Sequence, residues 1–337
     1  MHIDFRASGN WQRINDSVSE RLAGHAVDFG AEARIYQGIR HALVEAVIGV
    51  SQLYPLKKKV FYFNKMNPYF EMAILPLAKL GYKLMPLELS VLDAPDEWVS
   101  TLGREDLLLL YSVDDPLLGR TYNCEKLESL LADKNLVQIR VSHARHFISG
   151  LSSELPRYRV NLYSLAAPTL ALACLGDRTR FGVQTAPQLF YDDVTDEMLN
   201  EVVHPAPLSE ESVSAWQNDL ALAVHASVLW PDRGDRINDR ALIYWSDIDG
   251  YALIDRLASR LNFNLRSPGF ENRIETTSLS RWGGVKTMDF YREWGIDPNI
   301  LRGLIMVSSS FRTAGGFTEA LSQARNDVLK DQYGSAD

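Results

Sequence analysis

The stretch Tyr158–Gly182, YRVNLYSLAAPTLALACLGDRTRFG, carries the features on which the predicted fold depends. Tyr158–Ser164 has the composition of a buried strand, and Leu165–Ala167, with two small alanines, follow it as a turn. A polar loop with two arginines, Arg178 and Arg180, closes the stretch. In an open α/β sheet ligands bind outside the carboxyl ends of the strands, so such a strand-to-turn junction is a candidate ligand position.

Outward from this stretch, segments of strand length alternate with segments at helical spacing. Apolar residues at helical spacing predict a helix over Glu32–Leu53, and Gly81 stands where a helix C-cap is expected. This alternation predicts a mostly parallel sheet with helices on both faces. The other predicted elements are helices Tyr69–Leu80 and Glu125–Leu131 and strands Lys59–Phe63, Tyr82–Leu89, Asp106–Val113, Leu136–Val141, Tyr158–Ser164 and Thr179–Val183.

The pattern changes after about Phe190, and Pro205 and Pro207 mark a domain boundary. We therefore predict an N-terminal arm over residues 1–30, a large α/β domain over 31–205 and a small α+β domain over 206–337. The elements predicted for the small domain are helices Glu210–Trp230, Tyr251–Leu261 and Phe317–Leu329 and strands Arg240–Trp245 and Gly303–Val307.

Composition limits the classes of function. The 337 residues are 46% apolar and carry a net charge of −8, which gives no support for nucleic-acid or membrane-surface partners. The polar N-terminus lacks the apolar segment of a signal peptide, and the apolar run Leu165–Leu175 is too short to cross a bilayer, so we expect a cytoplasmic protein. Cys124 and Cys174 have no metal-like spacing, and we predict no metal site.

Four short motifs occur in a characteristic order along the predicted large domain. They are Tyr36–Arg40, with Gly38 opening a long helix; Asn67–Tyr69 after a strand; Asp114–Gly119, DDPLLG, after a buried strand; and Gly176–Gly182, with two arginines. Together they resemble the fold type I pyridoxal-phosphate (PLP) enzymes, the aminotransferase family, over roughly residues 30–190. The resemblance implies that fold, a PLP site at the strand ends and a dimer.

The resemblance also implies a role for each candidate cofactor-binding residue. The helix opened by Gly38 would hold the cofactor phosphate, with Arg178 and Arg180 completing the phosphate site. Tyr69 would lie near the ring, and Asp115 stands where an asparagine would contact the ring hydroxyl. The remaining two positions are Ser142, at the place of the ring-nitrogen partner, and Ser164, in the turn that leads to the Schiff-base lysine.

Two groups that the chemistry of this family requires are absent from the sequence. The aspartate that pairs with the pyridinium nitrogen falls on Ser142, and no aspartate occurs between Asp133 and Asp177. The Schiff-base lysine falls on Ala166 or Ala167, and no lysine occurs between Lys134 and Lys286. The lysine forms the imine and moves the proton, whereas the aspartate keeps the ring protonated. Ordinary transamination is therefore not expected.

Several residues remain candidates for other chemistry. Ser142 and His143 are the candidate catalytic residues, with His143 as a substitute base, but neighbours on a strand point to opposite faces. Lys65 could form an imine or lie on a solvated loop. Arg302 or Arg312 could bind a substrate carboxylate from the C-terminal domain. Residues 134–180 also form a basic cluster, which indicates either an anion pocket or solvated and paired arginines.

The leading hypothesis is a pseudoenzyme. It would be an aminotransferase-like protein that has lost Schiff-base catalysis and acts as a binding, scaffold or regulatory protein with a residual anion pocket. No covalent cofactor is expected, and PLP or its amine form would be held without a lysine. The partner would be a second copy or a related protein. The alternative is an enzyme that uses the same cleft on a small phosphorylated or carboxylated metabolite, either with the amine form of the cofactor or without PLP.

Overall fold

The structure is a computed structural model that describes residues 32–115, 118–143, 155–164, 170–179, 210–229, 240–260, 274–276, 290–308 and 316–334. Contacts divide these residues into two units, with the division along the chain after Pro205. The first unit runs to Pro116 and resumes at Thr121. The intervening Leu117–Arg120 belongs to the second unit together with the chain from Ala206 onward.

The first unit is built on a seven-stranded sheet in the order β1-β7-β6-β5-β4-β2-β3. The five neighbouring strands β3, β2, β4, β5 and β6 run parallel to one another. β7 runs antiparallel to both β6 and β1. The predicted α/β fold with a mostly parallel sheet is confirmed. Its elements are β1 Glu32–Gln37, α1 Gly38–Leu53, β2 Lys59–Phe63, α2 Phe70–Lys79, β3 Lys83–Leu87, α3 Pro95–Ser100, β4 Asp106–Ser112, α4 Glu125–Leu131, β5 Val137–His143, β6 Arg159–Ser164 and β7 Leu170–Leu175.

The predicted first helix was wrong over its first turn and a half. Residues Glu32–Gln37 form β1, and the helix begins only at Gly38. β1 pairs with β7 from Glu32 opposite Leu175 to Gln37 opposite Leu170. Apolar residues at helical spacing fit α1 itself, but the backbone partners offered by β7 decide the conformation of the residues before it.

The stretch Tyr158–Gly182 also contains a strand that the sequence reading missed. β7, Leu170–Leu175, lies within the apolar run Leu165–Leu175, to which no strand was assigned. A short apolar run bounded by turn residues cannot be assigned by periodicity alone. Of the strand predicted over Thr179–Val183, Thr179 lies outside every strand, and the other residues lie outside the described part of the chain.

The two faces of the parallel sheet differ in polarity around β5. Val137, Ile139 and Val141 alternate with Gln138, Arg140 and Ser142, and all but the part-exposed Arg140 are buried. Successive strand residues point to opposite faces, so one face of the sheet is apolar here and the other is polar. α1 packs on β5, β6 and β7, and its Ala42, Leu43, Ala46, Val47 and Val50 are fully buried.

The second unit contains a four-stranded antiparallel sheet in the order β10-β11-β9-β8. Its first helix is shorter than predicted: it ends at Ala223, and His225 adopts a left-handed φ of 52° before β8 begins. Leu118 is fully buried in this unit's core beside Tyr291 and Leu304. Its elements are α5 Glu210–Ala223, β8 Ser227–Val228, β9 Arg240–Tyr244, α6 Gly250–Arg260, β10 Ile274–Thr276, α7 Pro298–Gly303, β11 Leu304–Ser308 and α8 Phe317–Tyr333.

The end of α7 requires a glycine. A Cβ on Gly303 would lie 1.7 Å from the carbonyl oxygen of Trp245. We predict that Gly303→Ala lowers the free energy of unfolding by about 3 kcal/mol, because the backbone must move to relieve the overlap. Urea unfolding followed by circular dichroism measures this. Gly103→Ala is the control, since its nearest atom would lie at 4.0 Å, and equal stability of the two variants would contradict the close approach.

Candidate functional site

Five of the predicted site residues lie along the carboxyl edge of the parallel strands. Tyr69 follows β2, and Asp115 follows β4. Ser142 is the last residue but one of β5, and Ser164 is the last residue of β6. β1 is parallel to β6 because both pair antiparallel with β7, so Gly38 comes to this same edge. The structure thus brings the five positions to one edge of one sheet, where ligands of open α/β sheets bind.

Arg178 is not at this edge. It follows β7, which runs antiparallel to β6, so it lies at the amino end of the parallel strands. Its backbone N–H donates to the carbonyl oxygen of Arg157 at 2.9 Å, and its own carbonyl oxygen accepts from the Tyr54 hydroxyl at 2.7 Å. At about 3.3 Å per residue, the length of β6 separates the two edges by roughly 17 Å. The predicted grouping of Arg178 with Gly38 was therefore wrong, and Arg180 lies outside the described residues.

The beginning of α1 provides a cationic group at the carboxyl edge. Gly38 is the first residue of the helix, and Arg40 lies in its first turn. The Arg40 guanidinium lies 5.4 Å from the centre of the Tyr69 ring, and its Nη2 donates to the Met72 sulfur at 3.1 Å. Backbone N–H groups at a helix N-terminus favour an anion, and a nearby guanidinium strengthens this preference.

Asn67 adds an amide to the same edge, directly after β2. Its side-chain oxygen accepts from the backbone N–H of Tyr69 at 2.9 Å. Its side-chain nitrogen is buried and has no hydrogen-bond partner among the residues that the structure describes. Because a buried donor without a partner destabilises a protein by about 1–3 kcal/mol, this nitrogen indicates a place for an acceptor.

The turn after β4 carries two buried carboxylates, Asp114 and Asp115. The Ser112 hydroxyl donates to the Asp114 carbonyl oxygen, and Asp114 forms a β-bridge with Thr121 that closes the base of the turn. These contacts fix the chain directly before Asp115.

A hydrogen-bonded ionic network covers the polar face of the sheet beneath this edge. The Glu128 carboxylate on α4 accepts from the Tyr111 hydroxyl at 3.1 Å, from Arg140 Nε at 2.9 Å and from Arg159 Nη1 at 3.2 Å. The other two Arg159 nitrogens, Nε and Nη2, donate to the Gln138 side-chain oxygen at 3.1 and 2.9 Å. Among the described residues of this network, one carboxylate thus accepts hydrogen bonds from two guanidinium groups.

The protonation states in this network follow from its burial and from the charges around it. Burial lowers the pKa of the Arg140 guanidinium, but the Glu128 carboxylate together with Tyr111 and Tyr163 more than offsets this and raises the pKa above its ordinary value. Burial raises the pKa of the Tyr111 hydroxyl well above its ordinary value. Arg140 therefore stays charged, and Tyr111 stays a neutral donor to Glu128.

Ser142 is joined to this network. It is fully buried, and its hydroxyl oxygen accepts a hydrogen bond from Arg140 Nη1 at 3.1 Å. His143 ends β5 and pairs in register with Ser164, but the side chains of both lie outside the described structure. The position that resembles the ring-nitrogen aspartate thus holds a neutral hydroxyl with a guanidinium behind it.

Lys65 and Arg302 each pair with a carboxylate of their own unit. Lys65 follows β2, and its ammonium group lies 3.2 Å from the Glu88 carboxylate, beyond the end of the outermost strand β3. Arg302 lies in the last turn of α7 in the second unit, where its Nε donates to Asp249 at 3.1 Å. Arg312 lies outside the described residues.

Arg40, Asn67 and the Glu128 network were not predicted as parts of the site. A signal for Arg140 was present, because Gln138, Arg140 and Ser142 alternate with three apolar residues and so share one face of a strand. Arg40 follows Gly38 by two residues, which places it in the first helical turn. The pairing of Arg140 and Arg159 with one glutamate on α4 depends on strand order and could not be read from the chain.

The sequence matches no family model and no curated protein. Many solved structures share the fold. A NifS-like protein is 12% identical with a TM-score of 0.58, and the match covers 97% of this chain and 89% of that one. An archaeal O-phosphoseryl-tRNA(Sec) selenium transferase is 10% identical with a TM-score of 0.58, and the match covers 94% of this chain and 75% of that one. The ureidoglycine–glyoxylate aminotransferase of Bacillus subtilis is 11% identical with a TM-score of 0.55, and the match covers 98% of this chain and 92% of that one.

At these identities the likeness establishes the fold and leaves function to the site. The chain has an aminotransferase-like fold, as its motifs predicted. Within the described residues no helix is long and apolar enough to cross a membrane.

The Glu128 network makes a testable contribution to stability. We predict that Glu128→Gln lowers the free energy of unfolding by about 3 kcal/mol, because two largely buried guanidinium groups lose the carboxylate that they share. Urea unfolding measures the change. Glu125→Gln, an exposed position on the same helix, is the matched control and is expected to have little effect. If both variants were as stable as the wild type, the network would not be structural.

Proposed function

We propose that this chain is a binding protein of aminotransferase-like fold, which holds a small anionic ligand at the carboxyl edge of its large sheet without forming an imine. The protein acts through ligand or partner binding, as a scaffold or regulator, and not through Schiff-base catalysis. Three groups of residues support the proposal: the lysines, the Ser142–Arg140 pair, and the donors at the start of α1.

The placement of the lysines carries this proposal. The sequence has no lysine between Lys134 and Lys286, so neither β5, β6 nor the turn after β6 supplies an amine. Lys65 is the lysine that directly follows a strand at the carboxyl edge among the described residues, and its ammonium group pairs with Glu88 at the β2–β3 end of the sheet. An imine needs an amine at the reacting carbon, whereas the Lys65 side chain is directed to Glu88.

The residues at the end of β5 do not fit PLP in its catalytic form either. That chemistry needs an acid that keeps the ring nitrogen protonated, and PLP would then supply an electron sink. Here the Ser142 hydroxyl occupies the position, and the guanidinium of Arg140 lies 3.1 Å behind its oxygen. The positive charge of Arg140, directly behind the hydroxyl, opposes a second positive charge on a ring bound to Ser142. The hydroxyl itself supplies no negative charge to compensate.

The donors near β2 and α1 do fit an anion. The first turn of α1 presents backbone N–H groups, Arg40 lies over Tyr69, and the side-chain nitrogen of Asn67 lacks a partner among the described residues. Phosphate and carboxylate oxygens accept from such a set of donors. We therefore propose a phosphate- or carboxylate-sized ligand group at this place. A homodimer or heterodimer and a cytoplasmic location remain predictions.

Reduction with borohydride tests the absence of an imine. We predict that protein incubated with PLP, reduced and digested carries no stoichiometric pyridoxyl group on any lysine, because β5, β6 and the residues that follow them contain no lysine. Peptide mass mapping makes the measurement. Lys65→Arg is the control variant: a stoichiometric adduct on Lys65 in the wild type that is lost in this variant would overturn the proposal.

Thermal unfolding in phosphate tests the anion pocket. We predict that inorganic phosphate raises the melting temperature and that Arg40→Gln weakens phosphate binding about tenfold, the loss expected for one charge-assisted hydrogen bond. Arg302→Gln, which removes an exposed arginine paired with Asp249 in the second unit, is the control and should bind as the wild type does. Equal phosphate binding by all three proteins would place the anion elsewhere.

A further inference from the structure

The hydroxyl of Ser142 has a fixed direction of hydrogen bonding. Arg140 can only donate, so in the 3.1 Å contact the Ser142 oxygen accepts. The guanidinium cannot turn away, because its Nε donates to Glu128 at 2.9 Å. Ser142 therefore has its own proton left to donate to another group.

That proton has no acceptor among the residues that the structure describes. Ser142 is fully buried at the end of β5, and Arg140 is the hydrogen-bond partner that it has there. The hydroxyl of its neighbour in the sheet, Tyr163, accepts from the Asn161 amide at 3.0 Å and is not hydrogen-bonded to Ser142. A buried donor that is left unused destabilises the fold, so the arrangement calls for an acceptor.

The charge of the surroundings restricts which acceptor fits. Arg140 and Arg159 share the carboxylate of Glu128, and the guanidinium of Arg140 is the charged group that contacts the Ser142 hydroxyl. A cationic ligand group next to Ser142 would be repelled by the Arg140 guanidinium. Its proton would also meet the Ser142 oxygen, which already accepts a hydrogen bond from Arg140. A neutral acceptor with a lone pair would complete the hydrogen bonding of the hydroxyl.

We propose that Arg140 is a positioning residue that holds Ser142 as a hydrogen-bond donor, so that the subsite at the end of β5 takes a heteroaromatic ring through an unprotonated ring nitrogen. The inference rests on the proposed non-covalent ligand site and specifies the polarity of its ring end. The subsite selects against a protonated or alkylated ring. An aspartate at residue 142 would have the opposite preference.

The probe is pyridoxamine 5′-phosphate labelled with ¹⁵N in the ring, because it carries a phosphate, a ring nitrogen and no aldehyde. Its ring-N-methyl analogue has the same phosphate but a permanent positive charge and no lone pair. Calorimetry gives the two affinities, and the ¹⁵N resonance of the bound ring reports directly whether the nitrogen is protonated. Neither measurement depends on enzymatic activity.

The wild type is expected to bind the unmethylated probe about tenfold more tightly than the methylated one, the ratio for one hydrogen bond reinforced by a charge, and to hold its ring nitrogen unprotonated. Ser142→Ala should lose this preference. Ser142→Asp should reverse it and shift the ¹⁵N resonance to the protonated position, because a carboxylate favours a pyridinium.

The role of Arg140 needs a control that disturbs the same network. Arg140→Gln removes the donor to Ser142, and the preference between the two probes should fall toward unity. Arg159→Gln removes the other guanidinium from Glu128 but leaves the Arg140–Ser142 contact, so the preference should remain even if stability falls. Should Arg140→Gln fail to fold, the two Ser142 variants decide the question, since neither removes a charge from the network.

The outcomes separate this inference from the proposed function. Equal affinities for the two probes, or a protonated ring in the wild type, would overturn the inference and leave the anion pocket in place. Binding of inorganic phosphate without binding of either ring probe would overturn it in the same way. A borohydride-reduced adduct on a lysine would overturn the proposed function itself, whatever the preference between the two probes.

Discussion

The antiparallel pairing of β7 with both β6 and β1 determines where the ends of the first unit's strands lie. β7 reverses the chain direction once after β6, and β1 reverses it again by pairing on the other side of β7. β1 therefore points the same way as the five parallel strands although it is separated from them. This brings the start of α1 to their carboxyl edge, and it takes the segment after β7, with Arg178, to the opposite edge.

The polar face of the same sheet depends on one carboxylate. Glu128 reaches from α4 to the side chains of three neighbouring strands: Tyr111 on β4, Arg140 on β5 and Arg159 on β6. Two arginines in such a position would be strongly unfavourable without it, because a largely buried charge needs a partner. The Glu128 side chain of the short helix α4 thus hydrogen-bonds to residues of three strands. One of these residues, Arg140, in turn donates a hydrogen bond to Ser142.

The two ends of the carboxyl edge are complementary in their proposed roles. Near β2 and α1 lie the Arg40 guanidinium, the Asn67 side-chain nitrogen and the backbone N–H groups of the first turn of α1. These donors suit an anionic group. Near β5, a neutral hydroxyl is backed by a guanidinium, which suits an uncharged acceptor. Ser142 offers no carboxylate to a ring nitrogen, and β5 and β6 contain no lysine. At these two ends a ligand would be recognised by its oxygen and nitrogen lone pairs.

Much of the fold could be read from the sequence, because it depended on local pattern. Strand Lys59–Phe63 and helix Glu125–Leu131 were predicted with the bounds that the structure has, and Gly81 has the positive φ, 81°, of a helix C-cap residue. The absence of a lysine near Ser164 is likewise a property of the sequence alone. Periodicity and turn residues report the environment of each segment by itself.

What the sequence could not determine depends on which segments lie side by side. The conversion of Glu32–Gln37 from helix to strand, the position of Arg178 and the sharing of Glu128 by two arginines all follow from strand order. Hydrogen bonds between β1 and β7 join residues more than 130 positions apart, and no local pattern encodes such a pairing. The sequence determined which residues are present at the strand ends, and only the tertiary structure decided which of them meet, because backbone pairing between distant segments sets the edge at which each one lies.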